Sequence, residues 1–118
     1  MSNKFPFSTS RKVGPFVFVS GKVGTHPETG EIIKGDVKEQ TMQILSNMEL
    51  ELKQYDLGLQ DVAKTTVFLT DMRMFDDMNA AYRTRFSDPL PSRSCVSVSA
   101  VPHVDALVEI EVIAYSKE

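Results

Sequence analysis

Three polar side chains in the last third of the chain have the types that water activation beside a bound carboxylate requires. Arg93, Cys95 and Glu109 stand in two segments where apolar and polar residues alternate. An arginine can hold a carboxylate through two parallel N–H···O bonds, and a glutamate in a partly dry site can take a proton from water because burial raises its pKa. A structural ion pair between Arg93 and Glu109 at a subunit interface fits the same pattern, since both kinds of setting perturb pKa values.

The other reactive residue types suggest no second site. Cys95 taken alone is typical of a small buried hydrophobe. His26 and His103 lie in a turn and in a proline-flanked loop, without metal-ligand spacing. The segment 21–24, Gly-Lys-Val-Gly, lacks the third glycine and the following helix of a dinucleotide-binding loop. The sequence therefore predicts neither a metal centre nor a nucleotide site.

The alternation of residue types predicts which elements hold the three side chains. Segments 92–100 and 107–114 alternate strictly, which is typical of strands that bury one face. We expect these two strands to pair, with Arg93, Cys95 and Glu109 on one mixed face. The apolar positions are expected to pack under helices on the other face: Val96, Val98, Ala100, Val108, Ile110, Val112 and Ala114.

Two helices and three further strands complete the predicted fold. Asp36 and Glu39 form a capping-box pattern at the start of a helix, and an apolar stripe continues to near Gly58. A second helix carries Asn79 on its apolar face and ends before Pro89, where the backbone must become extended. The remaining strands are predicted at 6–11, 16–21 and 64–70.

Two helices cannot cover both faces of such a sheet. If both helices lie on one side, the opposite face exposes phenylalanine, leucine and isoleucine side chains, and patches of that kind usually mark an interface. We therefore expect a single α+β domain over residues 1–118 that forms an oligomer by packing sheet against sheet.

Composition limits the class of protein. The chain has 118 residues, a net charge of −3 and a pI of about 5.4, and it lacks the lysine and arginine cluster that phosphate binding requires. No run is long and apolar enough to span a membrane, and the N-terminal segment lacks the apolar core of a signal peptide. With Cys95 as its single cysteine, the chain is expected to be cytoplasmic, without a membrane or nucleic-acid partner.

Several segments, in the same order along the chain, resemble the RidA family, also called YjgF or L-PSP. Residues 91–96, Pro-Ser-Arg-Ser-Cys-Val, resemble the family motif P-x-R-S-C-V, and residues 62–72 closely resemble its central strand. Residues 18–21, Phe-Val-Ser-Gly, are similar to its first core strand, and residues 106–111 to its last. The resemblance covers roughly residues 6–115, and so many segments in order are far more specific than one motif.

The resemblance implies a chorismate-mutase-like α+β fold, with a mixed β-sheet and two helices packed on one face. It also implies a homotrimer whose sites lie between subunits. The implied reaction is hydrolysis of 2-imino acids, formed from enamines such as 2-aminoacrylate, to 2-keto acids and ammonia, without a cofactor or metal. Such a protein would be a 2-iminobutanoate/2-iminopropanoate deaminase.

The resemblance also implies roles for individual residues. Arg93 would hold the substrate carboxylate, and Glu109 would orient or deprotonate the attacking water. Backbone groups of Cys95 and Gly21, with Ser20 nearby, would shape the pocket. An imine carbon is already electrophilic, so one fixed cation and one base beside an ordered water suffice.

Three further positions bear on this pocket. Asn79 is expected to line it. Phe7 stands where many family members have a tyrosine, which removes a phenol hydroxyl from the substrate or the water. Lys22 replaces the usual glutamine and is expected to put a cation near the pocket mouth.

Two other functions stay open at this point. A trimer that binds small carboxylates without turnover is favoured by Phe7 and opposed by the presence of Arg93 and Glu109. An endoribonuclease-type translation inhibitor is opposed by the acidic pI and by the lack of a basic groove. Ammonia release from imines distinguishes the deaminase from both.

Overall fold

The strands and helices follow the predicted order, but the first strand covers residues 10–13 instead of the predicted 6–11, and other elements differ at their ends. The computed structural model describes residues 5–117. No helix among them is long and apolar enough to cross a bilayer. They contain β1 (Ser10–Val13), β2 (Phe16–Lys22), α1 (Val37–Lys53), β3 (Val62–Leu69), α2 (Phe75–Arg85), β4 (Ser92–Ser97) and β5 (Val108–Tyr115), with short 3-10 turns before β3 and α2.

Helix α1 begins where the capping pattern predicts. The Asp36 carboxylate accepts a hydrogen bond from the Glu39 amide, and the Glu39 carboxylate accepts one from the Asp36 amide, both at 3.0 Å. These bonds satisfy backbone N–H groups that have no partner within the helix. The apolar stripe of α1 is buried, but the helix ends at Lys53 and not near Gly58. Asp56, in the left-handed region with φ of 59°, then turns the chain.

The strand order places β5 at the centre and β4 at an edge. Among the described strands the order is β1-β2-β5-β3-β4, and β3–β4 is the parallel pair. Helix α2 connects β3 to β4, because a return to a parallel neighbour needs a crossover. Both helices pack on one face of the sheet around a shared apolar core. The predicted α+β fold is confirmed, but the predicted pairing of the last two strands is wrong, since β3 lies between β4 and β5.

The side chains of β4 also face opposite to the prediction. Arg93 is paired with Thr65, and Cys95 with Val67, and laterally paired residues present their side chains on the same face. Thr65 and Val67 are fully buried under the helices. Arg93 and Cys95 therefore lie on the helix-covered face, whereas Val96 lies on the opposite face and is 42% exposed.

The strand β5 has the faces that its alternation predicts. Val108, Ile110, Val112 and Ala114 are all buried in the core. Glu109 therefore points to the face away from the helices, which we call the outer face.

The outer face carries large apolar side chains. Phe16, Phe18, Val96 and Tyr115 are each between 42% and 46% exposed, and the Phe16 ring centre lies 5.7 Å from that of Tyr115. This surface is the one that the sequence predicted as an interface between subunits.

Candidate functional site

Arg93 is held between aromatic rings of α2. Its guanidinium carbon lies 4.8 Å from the centre of the Tyr82 ring and 5.6 Å from that of Phe75, and its Nη1 lies 3.8 Å from Sδ of Met78. Ring faces attract a guanidinium and leave the N–H groups at its edge available. Among the described residues no carboxylate forms an ion pair with Arg93. The guanidinium of Arg93 is therefore held in place, while its N–H groups form no ion pair with an acidic side chain of the described residues.

A cavity of about 270 Å³ opens beside Arg93. One wall is fixed because Oη of Tyr82 lies 2.7 Å from the buried Oγ1 of Thr65. Burial raises the pKa of Tyr82, against the opposing effects of the Thr65 hydrogen bond and the Arg93 charge, so the phenol is neutral. The cavity is lined by Asn79, Tyr82, Arg83, Leu90, Pro91 and Arg93.

Cys95 packs against the apolar core. Burial raises the pKa of its thiol, and the charge of Arg93 only partly opposes this. A thiol that stays protonated is a poor nucleophile, which leaves the backbone of Cys95 as its possible contribution to a site. Within residues 5–117, no group of three or more histidine, cysteine, aspartate and glutamate side chains could hold a metal ion.

Glu109 extends over Gly21 on the outer face. A β-carbon at Gly21 would lie 2.7 Å from Cδ of Glu109 and 3.0 Å from its Cγ. The β2–β5 pairing is irregular between Val19 and Lys22, in the stretch that contains Gly21. Burial, reinforced by the negative charge of Glu111, raises the pKa of Glu109. A carboxylate with a raised pKa is a better proton acceptor than a solvated one.

Ser20 and Phe7 lie beside β5, the strand that carries Glu109. The Ser20 hydroxyl donates a hydrogen bond of 2.7 Å to the carbonyl of Ser8, which ties the segment that carries Phe7 to β2. Phe7 and Ser20 line a second cavity, of about 530 Å³, whose walls include Phe18 and Glu111. Phe7 is 50% exposed, so its ring forms a wall of this open cavity.

The predicted site residues thus form two groups that lie on opposite faces of the sheet in one chain. The prediction that Arg93, Cys95 and Glu109 share a face is wrong for the single chain, and no ion pair joins Arg93 to Glu109 among the described residues. We call Arg93, Cys95, Asn79 and Tyr82 the arginine half-site, and Glu109, Gly21, Ser20 and Phe7 the glutamate half-site. The cavity lined by Phe7 and Ser20 includes Glu111 and not Glu109, so within one chain Glu109 is joined to this group through Gly21.

Lys22 does not stand at a pocket mouth as predicted. Its Nζ lies 3.3 Å from Oε1 of Glu51 on α1, and Glu51 also accepts hydrogen bonds from Ser10 at 2.5 Å and Thr9 at 2.9 Å. Burial alone would raise the pKa of Glu51, but the Ser10 hydrogen bond and the Lys22 charge together lower it. Lys22 therefore fastens β2 to α1 on the helix side of the sheet.

Sequence reasoning missed the aromatic support of Arg93. Phe75, Met78, Asn79 and Tyr82 recur at spacings of three and four, which places them on one face of α2, and all four lie near Arg93 or its cavity. The helical spacing was visible in the sequence. Because the two faces of β4 were predicted the wrong way round, Arg93 was not expected to face α2.

Comparisons with known proteins agree with this fold and identify the family. The family model described as Endoribonuclease L-PSP matches residues 1–116. A RutC family protein of Pyrococcus abyssi is 45% identical over 112 residues, which are 95% of this chain and 87% of the relative. The 2-iminobutanoate/2-iminopropanoate deaminase of Mus musculus is 38% identical over 109 residues, which are 92% of this chain and 80% of that protein.

A solved structure extends the agreement to three dimensions. The crystal structure of RidA from a Psychrobacter species has a TM-score of 0.89 to this chain at 36% identity, and the match covers 97% of this chain and 91% of that one. The chain therefore belongs to the L-PSP family, the family of the RidA and RutC proteins.

Proposed function

We propose that this protein hydrolyses 2-imino acids to 2-keto acids and ammonia. The observation that carries the proposal is Arg93, whose guanidinium is oriented by two aromatic rings beside a small cavity and has no acidic partner among the described residues. A guanidinium held in this way suits bidentate binding of a substrate carboxylate. Similarity to the mouse 2-iminobutanoate/2-iminopropanoate deaminase supports the same reaction.

Glu109 is the proposed general base. The substrate reacts as its iminium form, protonated on nitrogen. As the water oxygen bonds to the imine carbon, the carboxylate takes a proton from the water, and the C=N electrons move to the nitrogen, which becomes a neutral amino group. Protonated Glu109 then gives its proton to that nitrogen. The C–N bond breaks as the hydroxyl passes its proton back to Glu109 and becomes the keto oxygen, so one water is consumed and one ammonia is released, and Glu109 then loses to solvent the proton that the iminium brought. The raised pKa of Glu109 suits these proton transfers.

Arg93 and Glu109 cannot serve one substrate within a single chain, because they lie on opposite faces of the sheet. We propose a homotrimer in which the arginine half-site of one copy meets the glutamate half-site of the next. The exposed aromatic side chains of the outer face support this assembly, since packing the outer face against a neighbour would bury them and bring Glu109 to a subunit boundary. Sedimentation that showed a stable monomer at micromolar concentration would contradict it.

The direct test is ammonia release from imines made in situ by an amino-acid oxidase. Because imines also hydrolyse in water without a catalyst, the rate is compared with that of the oxidase alone. We expect faster loss of the imine and matched formation of keto acid and ammonia. No acceleration with any of several imines, from small to large, would contradict the deaminase.

A trimer that binds small carboxylates without turnover is the second candidate. Phe7 favours it, because a phenylalanine provides no hydroxyl for the substrate or the water. Binding of a 2-keto acid with no imine turnover would support this candidate. An endoribonuclease, which the description of the family model suggests, is disfavoured by the net charge of −3.

A further inference from the structure

We infer that the cavity of the arginine half-site prefers 2-imino acids that carry a second carboxylate on their side chain, and that Arg83 selects them. This inference rests on the proposed function, since it names the substrate class of the same site. Arg83 lines the cavity together with Arg93. Two guanidinium groups at one small cavity suit a ligand with two anionic ends.

The position of Arg83 on α2 directs it to the cavity. Arg83 follows Asn79 by four residues, and residues at this spacing lie one above the other on a helix face. Both of them line the cavity, and Leu90 and Pro91 belong to the segment that leads into β4. This lining combines a cationic side on the helix with an apolar side on the connecting segment.

The charges of the lining are unbalanced. The six lining residues include two arginines and no aspartate or glutamate. Other arginines near α2 have acidic partners: Arg85 pairs with Glu49 and Arg73 with Asp71. Among the described residues, Arg83 has no such partner. A dicarboxylic substrate would bring one carboxylate to each arginine.

The cavity within one chain is small. About 270 Å³ is at the small end of ligand pockets, and it suits an acid of roughly four or five carbon atoms. With the carboxylate next to the imine on Arg93, a carboxylate one or two methylene groups away would be directed toward the helix that carries Arg83. An amide at the same place has the same shape but lacks the charge.

Turnover of a matched pair of imines tests the inference. An amino-acid oxidase supplies the imine of aspartate or that of asparagine, which differ by a carboxylate and a carboxamide. We expect kcat/KM to favour the aspartate imine by roughly 3- to 10-fold, because the charge contact is partly solvated. The variant Arg83→Gln should bring the ratio close to one, and Arg83→Lys should retain most of it.

A matched control removes a cation elsewhere. Lys53 is exposed in the last turn of α1 and lines neither cavity, so Lys53→Gln changes the net charge equally without touching either half-site. We expect it to keep the wild-type ratio. Equal loss of the preference in Lys53→Gln and Arg83→Gln would show a general charge effect. No preference in the wild type would overturn the inference outright.

A binding measurement separates failure of this inference from failure of the proposed function. If no imine is turned over, the proposed deaminase function is wrong. The affinities of the protein for 2-oxoglutarate and 2-oxopentanoate can still be compared by calorimetry. Tighter binding of 2-oxoglutarate that is lost in Arg83→Gln would support a dicarboxylate pocket without turnover. Equal affinities, or a preference that survives in Arg83→Gln, would overturn the role of Arg83.

Discussion

The Glu109 side chain occupies the space that a β-carbon at Gly21 would need. The hypothetical carbon would come 2.7 Å from Cδ of Glu109, which is closer than real side-chain contacts. The φ of Gly21 is not in the left-handed region, so the glycine provides space for Glu109 here and not a special backbone conformation. The absence of a side chain at Gly21 thus sets where the proposed base rests.

The variant Gly21→Ala should therefore lower kcat while leaving the fold intact. Displacing a base by about 1 Å can cost roughly 100-fold in rate, and the displaced group is the flexible end of a side chain. The control is Gly58→Ala, whose β-carbon would meet only the end of the Gln60 side chain, and we expect it to keep the wild-type rate. Equal activity of both variants would show that the position of Glu109 does not limit the reaction.

Glu109→Gln should keep substrate binding and lose rate, because the amide has nearly the same shape but cannot accept the proton. Burial raises the pKa of Glu109 above 4.5, so wild-type kcat should fall as the pH drops through that raised pKa. The variant should lack this dependence. If Glu109→Gln turns over as fast as the wild type from about pH 5 to about pH 9, another group activates the water.

The same raised pKa makes a prediction about stability. When folding raises the pKa of a carboxyl, its contribution to the free energy of unfolding is fully present at a pH below the unfolded pKa. That contribution is lost as the pH rises through the folded pKa. The charged form of Glu109 is therefore disfavoured by the fold at neutral pH. We expect Glu109→Gln to have a Tm at pH 7 no lower than that of the wild type, with the difference disappearing in acid.

Arg93→Ala should abolish turnover while the fold and the assembly persist. A charge-assisted contact to the substrate contributes about 1.5–3 kcal/mol to binding, and the positioning of the imine is lost as well. Arg73→Ala is the control, because Arg73 is exposed and pairs with Asp71 away from both half-sites. If Arg93→Ala instead dissociates into monomers, with activity that follows the remaining oligomer, then Arg93 and Glu109 form a structural ion pair between subunits.

Phe7→Tyr restores a hydroxyl where many family members have one. If Phe7 faces the Arg93 of a neighbouring copy, a hydrogen bond of ~0.5–1.5 kcal/mol would raise kcat/KM roughly 2- to 13-fold, provided that it is stronger in the transition state. If the site has adapted to a bulkier imine, the buried hydroxyl would instead lower activity. Kinetics on a small and a large imino acid separate these outcomes, and no change on either would place Phe7 outside the site.

Local signals predicted most of the fold. The Asp36–Glu39 capping box lies within four residues of chain, and the alternation of β5 reports one continuous buried face. Both signals depend on residues that are close together along the chain, so the sequence alone predicted the start of α1 and the faces of β5. The end of α1 was less well predicted, since helix ends depend on how the following segment packs.

The faces of β4 could not be predicted from alternation alone. A period of two identifies a strand but does not say which side is covered, and a shift of one residue exchanges the faces. Val96 is apolar but lies on the outer face, whereas Arg93 lies toward the helices, where Tyr82 and Phe75 receive its guanidinium. The strand also ends at Ser97: the Val98 amide still donates a hydrogen bond of 2.8 Å to the carbonyl of Leu69, but Ala100 lies beyond the sheet.

The proposed assembly predicts that two inactive variants restore each other. A site needs Arg93 from one copy and Glu109 from its neighbour. Chains with Arg93→Ala still carry Glu109, and chains with Glu109→Gln still carry Arg93. When equal amounts are unfolded and refolded together, about one quarter of the boundaries combine the two intact residues by chance. We therefore expect about a quarter of wild-type activity from a mixture of two inactive parents.

The control is a mixture with the double variant Arg93→Ala/Glu109→Gln. Refolded with either single variant, the double variant supplies neither residue, so no boundary can hold an intact pair and activity should stay at background. The two parents mixed without unfolding should also stay inactive if subunits exchange slowly. Sedimentation must show that every sample assembles equally, since a loss of assembly would lower activity for another reason. If the refolded parents are as inactive as the control while assembly is normal, then Arg93 and Glu109 do not meet across a boundary, and the proposed site between subunits is wrong.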